Sequence, residues 1–105
     1  MILELYVDSE TITVEVDNDI LNGARSVFDK MDADMDNGMQ MHRVWVDHLN
    51  AEQRCQLAAD KILTAIESEN DNMMKMMSAY ILHKVPGIKG MRIAHGDMCE
   101  SELVF

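Results

Sequence analysis

Asp32, Asp34 and Asp36 stand at alternate positions in one short stretch, and no other residues in the chain have a type and spacing better suited to chemistry. Carboxylate oxygens are hard donors, and three of them close together can attract a divalent cation. Two methionine-dense stretches come next: Met35, Met39 and Met41 beside His42, and Met73-Met74-Lys75-Met76-Met77. Thioethers and imidazole suit Cu(I). The histidines at 42, 48, 83 and 95 lack the i,i+4 spacing of a metal helix, and Cys55 and Cys99 lack the paired spacing of a zinc or redox motif. Gly87, Gly90 and Gly96 are too scattered for a phosphate loop, and Pro86-Gly87-Ile88-Lys89-Gly90 does not open a helix. Lys84, Lys89 and Arg92 form a loose basic group around that turn. No residue set supports catalysis, so the expectation is a protein that is not an enzyme and carries no cofactor.

The stretch from Asp32 to Arg43 resembles an EF-hand calcium loop. Asp32, Asp34 and Asp36 fall at its first, third and fifth positions, Met39 fills the apolar eighth, and Phe28 and Met31 precede it. The resemblance implies calcium held by those three aspartates. Two positions depart from the pattern. Asn37 stands where the sharp turn requires glycine, which arrives one residue late at Gly38; Arg43 stands where the bidentate glutamate belongs. The stretch also lies within a longer pattern, Leu21-Ala24-Phe28-Met31-Met35-Gly38-His42-Trp45-Leu49, at spacings of three and four. Such a stripe faces one side of a helix and puts the aspartates on its solvated outer side. On this reading no metal site is expected, the methionines pack the core or an interface, and calcium binding is the alternative.

A chain of 105 residues has room for one domain, residues 1–105. Its formal net charge of −10 excludes binding to a nucleic-acid backbone, which needs clustered Lys and Arg. No apolar run approaches the ~20 residues needed to span a bilayer, so no membrane partner is expected. Met1-Ile2-Leu3-Glu4 lacks the basic region and apolar stretch of a secretory signal, and a cytoplasmic location is the resulting expectation.

The elements that would position these residues form an α+β domain. Leu3, Leu5 and Val7, then Ile12, Val14 and Val16, alternate with polar neighbours and predict a β-hairpin over 2–17 with its turn at Asp8-Ser9-Glu10. Asp17-Asn18-Asp19 offers caps for a helical region over 20–84. That region divides into two long antiparallel segments, Ile20–Leu49 and Ala51–His83. They meet where Asn50 and Gln53 form a capping box. Ser68-Glu69-Asn70-Asp71-Asn72 predicts a kink or break in the second segment. After Pro86, the region 88–105 supplies one or two strands that complete a small antiparallel sheet.

Unbroken, a helix of thirty residues would be about 45 Å long and would overhang a body about 33 Å across. Either the helices break, at Gly38 and near 68–72, or their overhanging stripes pair with a second copy. The 11 methionines favour an adaptable apolar interface. The functional expectation is therefore a small acidic interaction or regulatory module, homodimeric or bound to another protein. Met39, Met41, Trp45, Met74 and Met77 are its expected contact residues.

Overall fold

Leu3, Leu5 and Val7 alternate with Ile2, Glu4 and Tyr6, and a period of two gives a strand with one face dry and the other wet. In a computed structural model describing residues 1–105, β1 (Ile2–Val7) pairs antiparallel with β2 (Glu10–Glu15). Asp8 enters the tight turn between them at φ +56, a conformation Asp tolerates better than most residues. The predicted hairpin is present.

Asp17 caps α1 (Asn18–Gly23) by accepting a 2.9 Å hydrogen bond from the Ile20 N–H. After Ala24, α2 (Arg25–Asp36) follows and buries Phe28 and Met35. The expected stripe thus holds through Met35. It does not continue to Leu49, because Gly38 takes φ +91 and its N–H bonds back to the Met35 carbonyl at 3.2 Å, which stops the helix. Residues beyond it form a second, small hairpin of β3 (Met39–Met41) and β4 (Val44–Val46) around His42-Arg43. Two valines and a tryptophan in β4 are good strand formers, and that preference outweighs the helical spacing.

The Asn50–Gln53 capping box forms as predicted and opens α3 (Ala51–Glu67). The predicted break falls at Ser68-Glu69-Asn70, where Glu69 takes φ +58 and the Asn70 side chain caps α4 (Asp71–Lys84). The two main helices that pack together are therefore α3 and α4. Beyond Pro86 lie β5 (Gly90–Ile93), a 3-10 turn (Met98–Glu100) and β6 (Glu102–Val104).

The four strands lie in the order β2-β1-β5-β6. The outer pairs are antiparallel, as expected for the whole sheet, but the central pair β1–β5 is parallel. The helices intervene between those two strands, and such a crossover returns the chain in its original direction. The α+β class stands, with a mixed sheet. Leu3, Leu5, Met91 and Val14 bury their side chains on one face, in a core of 24 buried residues shared with the helices. The radius of gyration is 12.7 Å and the extents are 32 × 32 × 27 Å. With 17 residues in the longest helix, about 26 Å, nothing overhangs. The helices break at both expected places, and the length argument for a homodimer falls away.

On the sheet's opposite face, Gly90 lies against the Glu4 backbone with the Tyr6 ring beside it. A methyl group there would meet the Glu4 carbonyl oxygen and come within 3.0 Å of the Tyr6 ring. Gly90→Ala should force β1 and β5 apart and lower stability by about 1–3 kcal/mol. Chemical denaturation checks this, and an unchanged midpoint would contradict it.

Candidate functional site

Four residues apart on α2, Asp32 and Asp36 share one helix face, and that face turns toward α3 and α4. Asp32 Oδ1 accepts hydrogen bonds from Arg54 Nη1 at 2.9 Å and from the Tyr80 hydroxyl at 2.7 Å; its Oδ2 accepts one from Lys84 Nζ at 2.9 Å. Asp36 Oδ1 accepts a bond from Arg54 Nη2. Arg54 also donates through Nε to the Leu49 carbonyl at 2.9 Å. These contacts correct the expectation that the aspartates face water on the outer side of a helix. Only Asp34 is left exposed without a hydrogen-bond or ion-pair partner. The three do not converge, and no group of three or more His, Cys, Asp or Glu side chains is placed to hold a metal ion. What resembled a calcium loop is helix as far as Asp36 and hairpin beyond it.

Burial works against the charge on Asp32, but the hydrogen bonds from Lys84, Tyr80 and Arg54 more than offset it and hold the carboxyl below its ordinary range. Burial and the bond to Asp32 push the Tyr80 phenol upward, so it stays a donor. Sequence reasoning missed Arg54, Tyr80 and Lys84 as partners. Tyr80 and Lys84 do repeat the four-residue spacing of Asp32 and Asp36, but nothing local joins the two pairs.

The clasp holds both ends of the β3–β4 hairpin, through Asp32 and Asp36 before it and Leu49 after it. The Leu49 N–H closes the same base by bonding to the Met35 carbonyl at 3.5 Å. Gly38 lies so close to the hairpin that an added Cβ would come within 2.9 Å of both the Trp45 ring and the Val46 carbonyl oxygen. Trp45 Nε1 donates to Asp47 Oδ1 at 2.8 Å, which fixes the indole. Trp45 is 57% exposed and Val44, which sequence reasoning missed, 61% exposed.

Among the other expected contact residues, Met39 and Met74 are half-buried against the core. Met41 and Met77 are 0% and 2% exposed and cannot serve as contacts. Met41 points inward from β3 beside exposed Gln40, and Met77 belongs to the core cluster of α4. Met35 is buried as well, so most of the grouped methionines are packing residues, with Met73 exposed at the start of α4. The histidines are dispersed: His42 occupies the hairpin turn at φ +55, His48 lies 3.8 Å from Asp36, His83 stacks on Phe28, and His95 lies 3.0 Å from Asp8. Burial pushes the Cys55 thiol up to about 12 and raises that of Cys99 as well, so neither is activated as a thiolate. Lys84 and Arg92, from the loose basic group, pair with Asp32 and Glu102.

No helix is long and apolar enough to cross a membrane. Comparison with protein-family models, with curated proteins and with solved structures gives no match.

Asp32→Asn should cost about 2–3 kcal/mol of stability, because it leaves Arg54 and Lys84 without their shared counter-charge. Since the folded-state pKa of Asp32 lies below its ordinary value of 3.8, the clasp stabilises the fold above that pH and the contribution is lost as the pH falls through the folded value. The variant should therefore lose less stability than the native chain on acidification below 3.8. Denaturant titration across that range reads the difference, and parallel curves would contradict it.

Proposed function

We propose that this protein is a small acidic interaction or regulatory module that docks through the β3–β4 hairpin, with a second copy of the chain as its first partner. The observation that carries the reading is the exposure of Trp45, the chain's one tryptophan, beside Val44. A large aromatic with its polar atom already bonded is the kind of group that dominates contact energies. Trp45 lies opposite exposed Gln40, on the hairpin face turned away from Met39, Met41 and Val46, which pack against the core and support it from behind. Because Arg54 fastens the hairpin's base, little ordering remains to oppose docking. Exposed Arg43 at the tip, in a chain of net charge −10, gives one copy a cation for the acidic surface of another. The unactivated thiols and the commitment of Asp32 to ion pairs favour a non-catalytic role.

Sedimentation across a wide concentration range tests the proposal. The native chain should associate, with Trp45 emission shifting to shorter wavelength as the indole is covered. Trp45→Ala should weaken association by about 2 kcal/mol or more while leaving thermal stability unchanged at concentrations where both chains are monomeric. A monomer at every concentration would reject self-association. Undiminished association of the variant would reject the hairpin as the docking element.

A further inference from the structure

Unlike the inner strands, β6 is paired on one side only, with β5. Val104 directs its carbonyl toward β5, where it accepts a 2.9 Å hydrogen bond from the Lys89 N–H. By alternation, the N–H and C=O of its neighbour Leu103 face away from the sheet. Along that free side runs a cleft of about 670 Å³ between the first turns of α3 and the chain around β6. Gln56 braces it by donating to the Cys99 and Ser101 carbonyls, both at 3.1 Å. Half-buried Leu103 and Phe105, which is 68% exposed, supply its apolar surface. Glu52 and Glu100 supply exposed carboxylates that take part in no ion pair, whereas Glu102 is held by Arg92 at 3.2 Å. No Lys or Arg lines the cleft.

We propose that the free edge of β6 takes an extended peptide bearing lysine or arginine as an added strand. Leu103 provides the backbone partners, and strand addition to a sheet edge draws its affinity from such main-chain bonds. Leu103 lies opposite Met91, which lies beside Leu5, so all three share the inner face on the α3 side. A peptide side chain opposite Leu103 therefore enters the cleft. A lysine or arginine fits there, its aliphatic stem over Leu103 and Phe105 and its charge at Glu52 or Glu100. This surface is distinct from the β3–β4 hairpin and does not depend on it.

The test uses the full chain and a fluorescent peptide alternating lysine and valine, read by anisotropy at physiological salt. Saturable binding is expected, weaker by about tenfold or more when glutamate replaces lysine in the peptide. The same loss is expected for the protein carrying Glu52→Lys with Glu100→Lys, and for Leu103→Pro, which removes the free N–H. Amide NMR of the native chain should show the Leu103 signal shifting with peptide, which decides the matter should Leu103→Pro fail to fold. Absence of binding, binding indifferent to these changes, or shifts centred on Met39–Val46 would overturn the proposal. So would self-association lost in Leu103→Pro, since that would assign the edge to a second copy.

Discussion

With 7% of its surface exposed, Arg54 has given up nearly all its water, and its permanent charge is tolerated there because two carboxylates and the carbonyls of Leu49 and Asp32 take that water's place. Those acceptors come from both sides of the β3–β4 hairpin, so satisfying one buried cation fixes the end of α2, the base of the hairpin and the start of α3 relative to one another. Tyr80 and Lys84 bring α4 into the same arrangement through Asp32. Removing any one member leaves the others partly unsatisfied in a poorly hydrated place.

The same constraint shapes what the surface offers. A hairpin of two three-residue strands is marginal by itself. Here it is fastened at its base and backed by Met41 and Leu49 in the core, so its exposed residues are held in place. Val44 and Trp45 stand on that support. With 19 acidic residues against 9 basic ones, and Arg54, Lys84 and Arg92 already paired, unpaired carboxylates far outnumber the cations left free, of which Arg43 at the hairpin tip is one. That balance supports docking through apolar contact on the hairpin and through exposed carboxylates at the β6 cleft.

Features set by neighbouring residues were legible in the sequence. The first hairpin, the caps at Asp17 and Asn50–Gln53, and the break after Glu67 each depend on bonds spanning a few positions. The end of α2 was only half legible: Gly38 falls on the helical spacing and reads as continuing the stripe, and only the length of an unbroken helix marked it as a place to break. The strands that follow are too short to display a period of two. The partners of Asp32 lie 22, 48 and 52 positions away, beyond the reach of any local pattern. The parallel pairing of β1 with β5 and the inward turn of Met41 and Met77 have the same origin, since packing between distant elements decides them.

Hydrogen exchange on an Arg54→Lys variant tests the central claim most directly, because lysine keeps the charge but cannot reach the Leu49 carbonyl and both carboxylates at once. The amides of Met39–Val46 should lose protection while those of Leu3–Val7 keep theirs. Hairpin protection equal to that of the native chain would contradict Arg54 as the fastener of its base.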